Sequence, residues 1–304
     1  MKVTLVLVLT LKISNRDLWP NAAQTEPVRQ QCMHFGHVEK HSPRLNSMQQ
    51  TREEIIVAIY ATLAEAWGRQ HWWPAQSRFE VIVGAYLTQN TNWSNVEIAL
   101  RNLRAARALS IDAIRDIPLR KLERLIRSSG YFRQKARKLK TFVKFLDEYY
   151  GGSLTRMFAQ PTASLREQLL SLNGVGPETA DSILLYAGQH PIFVVDAYTR
   201  RLAARHAIMP ENAKYDELRE HFERALSQVD QLSSPEMPLQ ARGMASHSPS
   251  RMSVAKRAPL AQVFNEMHGL IVSVGKQYCL KSKVNCDECP LGPLLRKENE
   301  RVRV

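Results

Sequence analysis

A chain of 304 residues can bury one large core or two lobes, and its 42 Lys and Arg against 29 Asp and Glu give a formal net charge of +13. Such an excess favours a polyanionic partner, nucleic acid or an anionic membrane surface, over an acidic or neutral one. Four cysteines, three of them crowded near the C-terminus, exclude a disulfide-stapled secreted scaffold and read as a metal site in a reducing compartment.

Residues 1–50 begin with an apolar run over 3–11 that is too short to span a bilayer, and Lys12, Arg16 and Asp17 follow in place of a cleavage site. They are expected to form an N-terminal extension, and no other segment is a membrane candidate. From Arg52 onward apolar residues recur at spacings of three and four. Ile55, Ile56, Ile59, Tyr60, Leu63 and Trp67 make one stripe and predict an amphipathic helix. Residues 79–87 are more continuously apolar and predict a helix buried on most sides. Val96, Leu100 and Leu103 mark another helix. Ser110 suits an N-cap and Pro118 a first turn, so two short helices are expected over 110–129. Leu139, Phe142, Phe145 and Leu146 mark the next, with Gly130 and the Gly151-Gly152 pair as stops. Few convincing strands and short polar connections place the chain in the all-α class. Residues 227–259 are rich in Ser, Pro, Gln, Met and Ala without periodicity and predict a long flexible insert.

The segment Leu172-Asn173-Gly174-Val175-Gly176-Pro177 joins two apolar helical stretches, one with Leu165, Leu169 and Leu170, the other with Ala180, Ile183, Leu184 and Ala187. Gly174 and Gly176 permit the positive φ and close backbone approach of a two-glycine hairpin, and Pro177 suits the first turn of the helix after it. The backbone N–H groups of such a hairpin can hold one DNA phosphate, a contact that positions without reading sequence. The same residues also suit an ordinary tight turn. Next, the apolar run Ile192-Phe193-Val194-Val195 ends at Asp196, and Tyr198, Arg200, Arg201 and Arg205 begin a basic helix. Asp196 reads either as the cap of that helix or as a carboxylate facing the sugar of an extruded nucleotide. In the second role it would stabilise the positive charge that builds on the sugar as an N-glycosidic bond breaks.

These motifs resemble the endonuclease III-like, helix–hairpin–helix DNA glycosylase superfamily. The resemblance is carried by Leu172-Asn173-Gly174-Val175-Gly176, by Val194-Val195-Asp196 eighteen positions beyond Glu178, by Leu87-Thr88-Gln89-Asn90-Thr91 and by Cys279, Cys286 and Cys289. It covers residues 52–290. It implies an all-α fold of two helical lobes with double-stranded DNA carrying a damaged base bound across the cleft. Residues 70–190 would form a six-helix barrel lobe containing the helix–hairpin–helix, and 51–69 plus 191–304 the second lobe. It implies Asp196 as the catalytic aspartate, Leu172, Gly174 and Gly176 as DNA contacts, and Gln89 as the side chain that fills the hole left by an extruded base.

Bifunctional members carry a lysine where this chain has Glu178, and a carboxylate cannot form the imine that lets the strand be nicked. A monofunctional glycosylase that uses water and leaves an abasic site is therefore expected. Lys135 and Lys138 are the substitute amines on the bifunctional alternative, and otherwise read as a solvated or DNA-facing basic surface. A non-catalytic helix–hairpin–helix DNA-binding protein is the reading that needs no Asp196. Trp72-Trp73-Pro74, with the residues from Phe79 to Thr91, looks like the branch that excises 3-methyladenine. Trp72, Trp73 and Trp93, with Glu178, are then the candidate base pocket, where stacking contributes about 1–3 kcal/mol per base and a cationic base gains a cation–π term. Each tryptophan also reads as a core residue.

Cys279-x6-Cys286-x2-Cys289 repeats the first three spacings of the family's [4Fe–4S] motif, but the position of the fourth cysteine is Leu295. Soft thiolates at this spacing suit iron–sulfur or zinc. Two readings stay open: a cluster completed by water, a carboxylate or Cys32, and a relic that binds no metal. A cytoplasmic, monomeric protein is expected, associated with the nucleoid if the source is bacterial.

Overall fold

Thr51 opens the first helix. Its hydroxyl accepts the Glu54 N–H while the Glu54 carboxylate accepts the Thr51 N–H, a reciprocal cap that satisfies two donors with no helical partner. The computed structural model describes residues 51–229, 243 and 247–295, so the expectations for residues 1–50, Cys32 included, lie outside the described residues. Helix α1 (Arg52–Trp67) buries Ile55, Ile56, Ile59, Tyr60, Leu63 and Trp67, the predicted stripe. Ser77 caps α2 (Arg78–Thr88), whose residues 79–87 are all buried. Asn92 caps α3 (Trp93–Ala105) and Ser110 caps α4 (Ile111–Asp116), while Pro118 stands just before α5 (Leu119–Leu125). Helix α6 (Phe132–Tyr150) stops at Gly151, whose φ of 55° is the left-handed conformation that glycine adopts without strain. The short α7 (Leu154–Phe158) and α8 (Thr162–Leu170) lead to the glycine hairpin. Helix α9 (Pro177–Ser182) runs into one π-helical turn, Ile183–Gly188. Then come α10 (Ala197–Arg205), α11 (Tyr215–Leu226) and α12 (Pro259–Gln277). Among the described residues there is no strand, only an isolated bridge between Cys279 and Val284. None of their helices is long and apolar enough to cross a membrane.

Helix α1 packs on α11 and α12, and α10 packs on α12. Helix α2 packs on α3, α6, α9 and the π-helical turn, and α4 and α5 lie on α6. The π-helical turn also touches α12, so it is the place where the two groups of helices meet. Asp181 of α9 is fully buried, and Arg166 of α8 binds it through Nε at 2.7 Å while reaching Asp216 of α11 with Nη2, also at 2.7 Å. Burial pushes the Asp181 carboxyl up, and the Arg166 guanidinium opposes that only in part.

The expected insert differs from its prediction over residues 247–258. The His247 N–H donates to the Gln70 carbonyl and the Met252 N–H to the Ala75 carbonyl, both at 3.0 Å. Ser250, Met252, Ser253 and Arg257 are buried, and the Arg257 guanidinium donates to the Met252, Ser253 and Ala255 carbonyls. A buried arginine bonded to three carbonyls of its own turn gives this segment a fixed packing that its average composition hides. Residues 230–242 and 244–246 lie outside the described residues.

Replacing Arg166 with alanine leaves Asp181 buried without its counter-charge. Urea unfolding of Arg166→Ala should show a loss of about 3–5 kcal/mol, the usual consequence of breaking a buried pair from one side.

Candidate active site

The hairpin closes with the Val175 N–H donating to the Leu172 carbonyl at 3.0 Å, and Leu172 is half-buried against the core. Gly174 has φ +80°, the left-handed conformation that glycine adopts without strain, and a Cβ there would require only the flexible end of Lys138 to move. Gly176 differs from the expectation: its φ is −94°, open to any residue, and a Cβ there would meet nothing within 4 Å. Its small size leaves clear space in front of the hairpin instead.

Gln89 ends α2 and reaches across to this hairpin. Its Nε2 donates to the Gly174 carbonyl at 3.0 Å and to Thr179 Oγ1 at 2.9 Å, while its Oε1 accepts from Lys138 Nζ at 2.7 Å. Lys135 departs from the solvated surface expected of it, being only 2% exposed. Its ammonium donates to the Leu87 carbonyl at 2.9 Å, Thr91 Oγ1 at 2.8 Å and the Ser129 carbonyl at 2.6 Å. Those three acceptors hold the turn between α2 and α3 on which Gln89 stands. Burial, and then the charge of Lys138, bring the Lys135 pKa down to about 8.

Beside the hairpin lies a cavity of about 200 Å³ whose walls include Trp72, Trp73, Trp93, Glu178, Asp196 and His268. The structure therefore brings all three candidate tryptophans to one place. Trp73 meets Trp93 edge-on with ring centroids 5.1 Å apart, and Trp72 meets Trp73 at 5.6 Å. Trp72 and Trp73 are 7% and 6% exposed, so they serve the core and the cavity wall together. Trp93 is half-buried and donates its indole N–H to Glu97 at 2.8 Å.

Asp196 caps α10 with one oxygen only. Oδ1 accepts the Thr199 N–H at 2.8 Å and its hydroxyl at 3.1 Å, while Oδ2 stands 3.5 Å from His268 Nε2. The two readings of Asp196 are thus geometrically compatible. Burial works to raise its pKa, but His268 and the Thr199 donors outweigh that and hold the carboxyl below its usual range. Glu178 lies on the opposite trend: the surrounding protein, and then the Asp196 charge, push it up to about 7. Solvent reaching Glu178 through the cavity mouth weakens that coupling. One cavity therefore offers an anionic carboxylate, a carboxyl poised near neutrality and indole faces, a setting suited to positive charge.

Sequence reasoning did not bring His268, Tyr186 or Lys276 to this site. Lys276 lines the cavity, with burial lowering its pKa against the pull of Glu97 and Asp196. The one sequence signal for His268 is a histidine inside the apolar run of 263–274, which reads by default as core.

Cys279, Cys286 and Cys289 line a separate small cavity, with Leu295 in its wall. Burial, together with the nearness of Cys279 and Cys286, pushes the Cys289 thiol up to about 11. Arg205 donates to Cys279 Sγ at 2.9 Å and to the Leu280 carbonyl at 2.9 Å, and Arg201 donates to the Cys279 carbonyl at 2.6 Å. Among the described residues no three His, Cys, Asp or Glu side chains gather as a metal site. Three thiols facing a leucine do not fit a four-cysteine [4Fe–4S] group, and arginine hydrogen bonds hold this loop to α10.

The low pKa of Lys135 carries a stability signature. The unfolded chain, with its lysine near 10.4, binds more protons than the folded one between about pH 8 and 10.4, so this group makes stability rise with pH across that window. The stability difference between the wild type and Lys135→Met should therefore grow from pH 8 to pH 10, measured by urea unfolding at each pH.

A family model described as HhH-GPD superfamily base excision DNA repair protein matches residues 83–228. A Methanocaldococcus jannaschii protein named as a DNA repair glycosylase is 41% identical over 247 residues, covering 80% of this chain and 97% of that protein. The structure of H. pylori 3-methyladenine DNA glycosylase bound to 1,N6-ethenoadenine is similar with a TM-score of 0.57 and 30% identity, over 75% of this chain and 98% of that one. Endonuclease III trapped as a covalent intermediate with DNA shares the fold with a TM-score of 0.58 at 19% identity, over 83% of this chain and 99% of that one. With the hairpin, the cavity and these similarities in hand, the chain belongs to the HhH-GPD superfamily of base excision DNA repair proteins and is an all-α DNA N-glycosylase.

Proposed function

We propose that this glycosylase is monofunctional and hydrolyses the bond between an alkylated purine and its deoxyribose in double-stranded DNA. The observation that carries the reading is the placing of Trp72, Trp73 and Trp93 in one cavity with the Asp196 carboxylate. An alkylated purine is cationic or electron-poor, so stacking on indole faces favours it over normal purines. The 30% identical relative is a 3-methyladenine glycosylase, which supports the same substrate class.

The hairpin at Gly174 and Gly176 would grip one phosphate, and Gln89 would leave its bonds to Gly174 and Thr179 to fill the vacated stack. As the C1′–N bond breaks, the bonding pair departs with the base and positive charge gathers on the sugar beside Asp196. A water oriented by Asp196 then bonds to C1′, and its proton passes to that carboxylate and on to solvent. A purine made cationic by alkylation, such as 7-methylguanine, becomes neutral by taking the bonding pair, so its departure needs no added proton, whereas neutral 1,N6-ethenoadenine must also gain one from solvent.

Hydrolysis without strand nicking follows from Glu178, which occupies the position where an imine-forming lysine would stand. A second reading has one observation in its favour: Lys276 is a lysine on the cavity wall. Lys135 is spent on three oxygen acceptors and Lys138 is tied to Gln89, so Lys276 is the amine to test.

Labelled duplexes carrying 7-methylguanine, 1,N6-ethenoadenine, an oxidised pyrimidine, uracil or a mismatch should be incubated with the protein and run with and without hot alkali. Cleavage is expected only after alkali and only for the alkylated purines. Asp196→Asn should lower the excision rate on the order of 10³-fold while duplex affinity is kept. Nicking without alkali, with a borohydride-trapped complex that Lys276→Ala abolishes, would replace this reading with the bifunctional one.

A further inference from the structure

We propose that His268 is a positioning residue for glycosidic-bond cleavage: anchored by the Tyr186 hydroxyl, its imidazole fixes the cavity-facing oxygen of Asp196 and stabilises that oxygen's negative charge. The inference rests on Asp196 being the carboxylate that faces the sugar.

Asp196 has two oxygens with different duties. Oδ1 is occupied by the Thr199 N–H and hydroxyl, so the helix cap holds one end of the carboxylate. Oδ2 faces His268 Nε2 at 3.5 Å, a separation longer than a full hydrogen bond but short enough for an imidazole N–H to bear on the carboxylate in a buried site. That Nε2 is a buried polar atom with no hydrogen-bond partner of its own, and it points at the carboxylate. The other ring nitrogen, Nδ1, lies 2.7 Å from the Tyr186 hydroxyl. His268 is 4% exposed and Tyr186 1%, so neither is a surface residue making a passing contact. The imidazole is also packed against Trp72 at 5.9 Å and Phe193 at 6.4 Å between ring centroids. Trp72 is a wall of the base cavity, which links the wall and the carboxylate through one ring.

The element bearing Tyr186 strengthens the case. It is the π-helical turn, and single π turns within helices are found frequently at functional sites. Catalytic hydrogen bonds that are long without substrate commonly tighten when the reacting complex forms. The charged and titratable groups facing Asp196 are Glu178 of α9, Tyr186, Tyr198 of its own helix, and Lys276 and His268 of α12. Lys276 stays in place when His268 is replaced, so removal of the imidazole weakens the stabilisation of Asp196 without abolishing it. With the imidazole gone, burial is less well opposed, the carboxylate becomes harder to ionise, and functions that need the anion retreat to higher pH.

Two duplexes read this without any turnover. In one, a single nucleotide is replaced by a pyrrolidine, whose ring cation mimics the developing sugar charge. In the other the same position carries uncharged tetrahydrofuran. His268→Leu should weaken pyrrolidine-duplex binding about tenfold, leave tetrahydrofuran-duplex binding within about twofold, and move the loss of pyrrolidine preference in acid to higher pH. His268→Gln, which restores a donor toward Asp196, should recover most of the preference, and Tyr186→Phe should lose part of it. A structural role would lower both affinities together and leave the pH profile in place. An unchanged preference and profile in His268→Leu overturns the proposal. If that variant does not fold, an unchanged Tyr186→Phe overturns it. Asp196→Asn run alongside separates the premises: a wild-type preference in that variant sinks the reading of Asp196 itself.

Discussion

The site depends on one carboxylate whose direction is set by a helix cap. Thr199 fixes Oδ1 of Asp196 as the cap of α10, and this leaves Oδ2 facing the cavity and His268. Capping normally satisfies a helix terminus and nothing more. Here it also sets the direction of a charged group to within the tolerance of a hydrogen bond. The approach to Asp196 is secured by α11, because the Phe193 N–H donates to Glu223 at 2.8 Å and the Val195 N–H to the Tyr215 hydroxyl at 3.3 Å. An apolar run with no strand partner thus has two of its backbone donors met by two side chains of a neighbouring helix.

The hairpin and Gln89 are tied to the same frame. Arg166 joins α8, α9 and α11 through Asp181 and Asp216, so the two helices flanking the hairpin cannot shift independently. Gln89 joins α2 to the hairpin, and Lys135 fixes the turn beneath Gln89. Hairpin, Gln89 and cavity are therefore carried by elements in direct hydrogen-bonded contact. Preorganisation of this kind favours charge stabilisation, since little reorganisation remains for the reacting complex.

Local patterns in the sequence account for the helices and for Asp196. The stripe from Ile55 to Trp67, the caps at Ser110 and Asp196, and the Gly151 stop all depend on residues within a few positions of one another. What escaped depends on distant backbone. Lys135 looks like surface charge because its acceptors are the carbonyls of Leu87 and Ser129, and a carbonyl leaves no mark in a sequence. His268 is paired with Tyr186 across 82 positions, and an isolated histidine on an apolar helix reads as core. Residues 247–258 are ordered by backbone bonds to Gln70 and Ala75, which composition cannot foretell. Gly176 was expected to need a positive φ, but its smallness serves the open space before the hairpin.

The most direct test of the account is a crystal structure of Asp196→Asn bound to a duplex carrying a 2′-fluoro nucleotide of 7-methylguanine, which resists cleavage. The account predicts the methylated base stacked among Trp72, Trp73 and Trp93, residue 196 facing C1′, the hairpin amides on a phosphate, and Gln89 inside the duplex. A base that remains in the stack, or one that enters a cavity away from residue 196, would contradict it.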